Sequence, residues 1–448
     1  MTVLGRGALT AATVVLLGAL VALSTKGLIA AAVALAAAVV VMLLVVLGPD
    51  RLGTGFVMLA MFTAPQNSIR PIPTADFVTF SDLFLLVGAA LLLPTLLQRR
   101  GRYPALFLLG AVGLSAMVLL TAAIGPTPAL ALLYGLRLPA AAVALPVFFL
   151  AWRPQGRLIE ALAWSYVAGH VVSTCYAVVE GRAINDRYDG LTTHFNFFGI
   201  AALMASTLLV HLYHATPRRH RWVPMVAALF CAASISMSGS RAAALVVAMI
   251  LVLYPLLERS VLSAYVLIAG ALAFVIVGDQ LLNRFGSGSV IERLQGDATT
   301  SYSDSERTVA LQTGWDKFFA HPILGNGFDA TSLDAHNIYL EVAIGIGLVG
   351  LICYLMVLGV GVLPVLRSGP LRRLGYAALG FAAVGMLTNS LWDRFVWMAI
   401  SLSVLAAADM GPRSSRPRDE VADTAPPPIP VATGGTSSRV RVPTKEAS

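Results

Sequence analysis

Long apolar runs, each closed by a short polar break, dominate the chain, and their lengths set the fold. Runs at 8–24, 27–48, 52–64, 81–97, 104–124, 129–151, 157–179, 193–215, 222–238, 241–258 and 260–278 precede one long polar stretch, and runs at 336–366, 374–390 and 395–409 follow it. Crossing the hydrocarbon core takes about 20 mostly apolar residues. Lipid offers the backbone no hydrogen-bond partner, so only helices and closed barrels span it. The runs are continuous Ala, Leu and Val without alternation, which selects helices over barrel strands. The pattern predicts an all-α polytopic integral membrane protein with about 12 to 14 transmembrane helices. The lower number applies if the short run at 52–64 and the tight turn at Lys26 remove two.

Composition agrees. The 448 residues are 57% hydrophobic and 12% charged, against about 25% charged in soluble domains. The net charge of +8 does not point to nucleic acid, because the basic residues sit in short loops. Lys and Arg in such loops are retained on the cytoplasmic side. Arg99, Arg100 and Arg102, then Arg153 and Arg157, then Arg218, Arg219 and Arg221, then Arg259, then Arg367, Arg372 and Arg373 all fall on one side when the chain is threaded through the runs. Both termini are then cytoplasmic. The three cysteines, Cys175, Cys231 and Cys353, lie far apart inside apolar runs and form neither a disulfide framework nor a metal-ligand spacing.

The same threading puts Arg241, the 279–335 loop and His336 on the extracytoplasmic side. That loop is acidic, carries an amphipathic helical pattern around 306–319, and is long enough to be more than a connection. A transmembrane domain over residues 1–410 is therefore expected, with the loop at 279–335 as its one large extracytoplasmic feature. The 411–448 tail is rich in Pro, Ser, Thr and Arg and reads as disordered and cytoplasmic.

Most polar residues here have an ordinary explanation. Arg394 reads as a snorkelling anchor. His170 reads as a satisfied core histidine, and the Asp189–Gly199 stretch as a helix cap with an aromatic belt. Arg137, midway along its helix, is costly there and either faces a cavity or pairs with a neighbour. Arg241 follows a small polar turn, Ser236-Met237-Ser238-Gly239-Ser240, on the side that should lack positive charge. Arg307 lies in the polar loop, and His336 opens a helix at the interface. Guanidinium groups bind phosphate oxygens through paired donors. A neutral imidazole accepts a proton from a hydroxyl near neutral pH. Two arginines and one histidine on one face thus suggest a pocket for a phosphate-bearing donor and a hydroxyl acceptor. The sequence holds no Gly-rich phosphate loop and no nucleophile elbow.

At these residues the chain resembles the O-antigen ligase and O-antigen polymerase superfamily of bacterial membrane glycosyltransferases. Arg241-Ala242-Ala243-Ala244-Leu245 is similar to the family's Arg-x3-Leu motif, and His336 followed by Gly347 to its His-x10-Gly motif. Pro322-Ile323-Leu324-Gly325-Asn326-Gly327 is similar to the Pro-x-x-Gly-x-Gly approach of the large outer loop, where Arg307 also stands. Gly345 departs from the pattern, since members often carry an acidic residue there. The resemblance covers roughly 189–405.

The resemblance implies a C-type glycosyltransferase-like helical fold in the bacterial cytoplasmic membrane, working without metal or other cofactor. It implies transfer of a glycan from undecaprenyl pyrophosphate to a glycan, lipid or protein acceptor in the envelope. His336, Arg241 and Arg307 would be catalytic, with Arg241, Arg307, Arg137, Asn337 and Tyr339 around the substrate. A repeat-unit polymerase of the same superfamily is an alternative. A transporter of lipid-linked sugars is another, and predicts several charged or broken helices at mid-depth.

Overall fold

The computed structural model describes residues 28–71, 78–99, 101–125, 127–183, 186–265, 268, 298–328 and 335–409. The runs expected at 8–24 and over most of 260–278, much of the 279–335 loop, and the 411–448 tail lie outside the described residues. Among the described residues there is no strand, and eight helices are long and apolar enough to cross a membrane. The chain is an all-α multi-pass membrane protein.

The helices are α1 (Leu28–Leu47), α2 (Pro49–Thr63), α3 (Phe80–Gln98), α4 (Ala105–Ile124), α5 (Pro128–Trp152), α6 (Arg157–Glu180), α7 (Phe195–Ala215), α8 (Trp222–Ser238) and α9 (Arg241–Glu258). After the undescribed stretch come α10 (Ala298–Ala320), α11 (Ile338–Val362), α12 (Gly375–Val384) and α13 (Arg394–Asp409). α10 begins before the amphipathic pattern at 306–319 and α12 ends short of its run at 374–390, but elsewhere the apolar runs anticipate these bounds to within a few residues. The reason is physical: in lipid the run length and the helix length are one constraint.

Two helices form the centre. Most of α7 is enclosed, and α13 is buried on every side from Phe395 to Ala406. A helix apolar all round belongs inside a bundle. At 16 residues α13 is about 24 Å long, shorter than a bilayer core. Surrounded by protein, it need not match the lipid. Its hydroxyls bond backward, Ser401 Oγ donating to Trp397 O at 2.7 Å and Ser403 Oγ to Leu374 O at 2.6 Å.

Ion pairs pin α13 at both ends. Arg394 donates to Asp82 at the start of α3, and Arg153, ending α5, holds Asp409 at 3.0 Å. Arg394 is thus a protein clamp where a lipid anchor was the plain expectation. Asp82 also closes a capping box with Thr79, so one carboxylate serves helix and clamp together. His170 is buried and its Nε2 shares a 3.1 Å hydrogen bond with Ser234, while its Nδ1 has none, so the expected satisfied core histidine is satisfied at one nitrogen only.

Two helices that pack against the 321–328 segment are broken. In α5 a π-turn at Ala140–Ala144 lies between Pro139 and Pro146, which cannot donate to the ladder. In α11 the break falls at Ile346 (φ −131°, ψ 18°) and Gly347 (φ 67°, ψ −175°). That is about 12 Å below the helix start, where a bare peptide group would be costly. The 321–327 segment dips in and satisfies it. Asn326 N donates to Ile344 O at 2.7 Å, Gly327 N to Gly345 O at 2.9 Å, and Leu348 N to Pro322 O at 2.9 Å. The approach is so close that a Cβ on Gly347 would fall on the Ile323 carbonyl. The glycine of the His-x10-Gly spacing is therefore a packing requirement.

Candidate active site

Three elements converge at one end of the bundle, the end from which α9 and α11 begin. A tight turn supplies the first. Gly239 takes φ 60°, Ser240 caps α9 by accepting from Ala243 N, and Arg241 becomes the first helical residue. The turn sits on Gly199 of α7, where a Cβ would come within 2.6 Å of Ser240. A buried guanidinium, Arg187, locks it from the other side. It donates to Ser238 O at 2.6 Å and to Asn196 Oδ1 at 2.7 Å, and stacks 3.4 Å over Phe195.

The second element is α10, which carries Asp304 and Arg307 one turn apart. Asp304 faces Arg241 through both oxygens, with Nη1 at 3.0 Å from Oδ2 and Nη2 on Oδ1. Arg307 lies close enough to Arg241 that its guanidinium is pushed down from the usual arginine value, by burial first and then by that charge, with Asp304 offsetting part.

His336 is the third. It adopts φ 51°, a left-handed conformation uncommon for a residue with a Cβ. Its neighbours hold it there: Ala335 and Ile338 are buried, and Asn337 caps α11 by accepting from Tyr339 N at 3.0 Å and Leu340 N at 3.2 Å. The kinked entry turns the imidazole into a small cleft lined also by Arg241, Arg307, Asn196 and Thr388.

A second imidazole stands at the rim. His194 caps α7, its Nδ1 accepting from Asn196 N at 3.1 Å, so the proton of the neutral ring sits on Nε2. Loss of water contact, then the charges of Arg187, His336 and Arg307, push its pKa down to about 4. It is a neutral donor at neutral pH.

Arg241, Arg307 and His336 are thus brought together. Arg137, Asn337 and Tyr339 occupy other positions. Arg137 lies 4.6 Å over the Tyr134 ring and 5.8 Å from Trp392. Asn337 is committed to its cap, and the Tyr339 hydroxyl donates to Ala382 O. Sequence reasoning overlooked Arg187, and the wrong-side-charge argument that singled out Arg241 applies to it equally. Asp304 and Asn196 gave no signal beyond their presence in polar stretches. Among the described residues no three His, Cys, Asp or Glu side chains converge as metal ligands.

Residues 224–355 match the family model described as O-antigen ligase. That match supports the O-antigen ligase and polymerase superfamily for this region. The matched region runs from α8 into α11 as far as residue 355 and contains Arg241, Arg307, His336 and the Gly347 break. It supports a ligase or polymerase type of function for this membrane protein. No curated protein matches the chain.

Proposed function

We propose that the cleft transfers a glycan from a polyprenyl pyrophosphate to an acceptor hydroxyl at the extracytoplasmic face. The observation that carries the reading is the convergence of Arg241, Arg307 and His336 from three separate elements in one cleft. Two guanidinium groups crowd one another there, and Arg241 also sits at a helix N-terminus, where the dipole disfavours a cation and favours an anion. Asp304 compensates one positive charge. A pyrophosphate, with several negative oxygens, would relieve the rest.

In this reading both guanidinium groups clamp the pyrophosphate while His336 takes the proton from the acceptor hydroxyl. The acceptor oxygen bonds to the anomeric carbon as the bond from that carbon to the pyrophosphate oxygen breaks. The electron pair leaves with the polyprenyl pyrophosphate, where the guanidinium groups stabilise the growing charge. His336 then returns its proton to solvent. The neutral His194 and Asn196 offer hydrogen bonds at the rim to sugar hydroxyls.

The test compares envelope glycans in cells with and without the protein, separating carrier-linked from acceptor-linked chains by size. Long chains held on the carrier beside a bare acceptor identify a ligase. Acceptors bearing single repeats identify a polymerase. Unchanged pools of both, with precursor trapped on the inner leaflet, overturn the transferase reading in favour of transport.

A further inference from the structure

The helix that carries Arg307 has a third face that neither the bundle nor the cleft uses. At about 100° per residue, Arg307, Gly314 and Phe318 of α10 share one side, which packs on α11. Gly314 is buried, with Leu340 so near that a Cβ would meet it at 2.9 Å, and Phe318 rests on Ala335, Leu340 and Ile344. Roughly a quarter of a turn away, Leu311, Trp315 and Phe319 form an exposed apolar stripe, with Trp315 and Phe319 stacked at 5.7 Å. The remaining side holds the exposed Glu306, Thr313 and Asp316, with the exposed Val309 among them. Thr308 falls within the apolar stripe, but its hydroxyl is used internally, donating to Asp304 O at 2.8 Å.

α10 is tied to the bundle at two places, in its N-terminal half through Asp304 to Arg241 and just past its C-terminus through the 321–327 segment bonded to α11. The helix therefore lies across the bundle and cannot project away from it. Its apolar stripe is also continuous with a lipid-facing surface. Ile323, 66% exposed, abuts the α11 break, and below it the exposed Leu348, Val349 and Ile352 run down a membrane span. One face to protein, one to the apolar surface of a span and one polar is what a helix needs at the corner where bundle, lipid and water meet.

We propose that the Leu311, Trp315 and Phe319 face of α10 is immersed in the phospholipid leaflet on the cleft side, as an in-plane interfacial helix. Tryptophan and phenylalanine favour that depth, and an amphipathic helix buries its apolar side at the boundary between headgroups and acyl chains. The proposal stands on the membrane embedding of the chain and not on the transferase reading. Its consequence is positional, since it holds Arg307 at the level of lipid phosphates.

The test uses the full chain in phosphatidylcholine nanodiscs, with and without bromine near the carbonyl end of the acyl chains, and with iodide as an aqueous quencher. The chain has six tryptophans, so the difference between wild type and Trp315→Phe isolates one emitter. That difference component should be quenched by brominated lipid and spared by iodide. A second reporter, Phe319→Trp in the Trp315→Phe background, should gain a component with the same behaviour. Quenching by iodide alone would put the face in water, and quenching by neither would put it under protein such as a second copy; either result overturns the proposal.

Discussion

Arg241 and Asp304 close a two-pronged ion pair between the first residue of α9 and the interfacial helix α10. A guanidinium engaged on both prongs by a carboxylate of its own chain presents to that carboxylate the geometry it would present to a phosphate. The pair thus does two things. It docks α10, and with it Arg307, against the bundle, and it occupies the fork that a pyrophosphate would need.

Replacing Asp304 should accordingly tighten anion binding. In Asp304→Asn the fork is released and the cleft gains one net positive charge while the side chain keeps its shape. Loss of a competing charged hydrogen bond is worth about 1.5–3 kcal/mol, so farnesyl pyrophosphate should bind roughly tenfold or more tightly to the variant in nanodiscs. Titration calorimetry on both proteins decides it. Weaker binding by the variant would show that Asp304 builds the anion site by placing Arg307.

The fold was legible because in a membrane one signal, run length, settles element type and extent together. Even the short α12 and α13 were visible as runs, although their burial was not. The cleft was legible where charge broke the topological rule, as at Arg241, and where residue type carried chemistry, as at His336. It was not legible where a contact depends on three-dimensional return of the chain. Nothing in the spacing ties Asp304 to Arg241, or Arg187 to Ser238. Arg137 illustrates the converse: a charge inside an apolar run demanded an explanation, and cation–π contacts with Tyr134 and Trp392 supply one outside the cleft lining. Gly347 looked like a motif letter and Gly345 like a departure from one, and only the dipping 321–327 segment and the Phe328 ring show why a side chain has no room at either.

His336 should carry the proton step. Removing a positioned general base costs about 10²–10⁴ in rate, so His336→Ala should lose transfer by at least that factor while the protein still reaches the membrane in normal amount. Transfer measured alongside membrane yield separates the two effects. Activity retained in a well-expressed variant would exclude the imidazole from the reaction.

Two titrating groups outside the membrane spans should act on stability in opposite directions. His194 has a pKa lowered to about 4 from 6.5, by burial before neighbouring charge. The unfolded chain then binds the extra proton first, so this contribution is complete above about pH 6.5 and is lost as the pH falls toward about 4. Asp393, beyond the membrane spans, has a pKa raised to about 7 from 3.8 by burial, with Arg394 opposing. Its contribution is complete below about pH 3.8 and is lost as the pH rises toward about 7. Compared with wild type, thermal midpoints in nanodiscs across this window should rise more steeply with pH in Asp393→Asn and less steeply in His194→Asn, which keeps a capping side chain. Parallel profiles in the two variants would refute the assignment.

Gly347 should tolerate no side chain. Its φ of 67° with ψ of −175° is a region open essentially to glycine alone, and forcing another residue there costs on the order of 1–3 kcal/mol before any clash. A Cβ would also fall on the Ile323 carbonyl, against backbone that is hydrogen-bonded on both sides and cannot swing away. Gly347→Ala should therefore lower the melting temperature and the membrane yield sharply. In Gly345→Ala the atoms nearest the new Cβ belong to the ring of Phe328, which a second change can move. Pairing it with Phe328→Leu should recover much of the lost stability, while the same Phe328→Leu change should not rescue Gly347→Ala. Melting temperatures of the two single glycine variants and their double mutants distinguish a backbone obstruction from a side-chain one, and equal rescue of both would mean that the 321–327 segment is not held as tightly against α11 as its hydrogen bonds require.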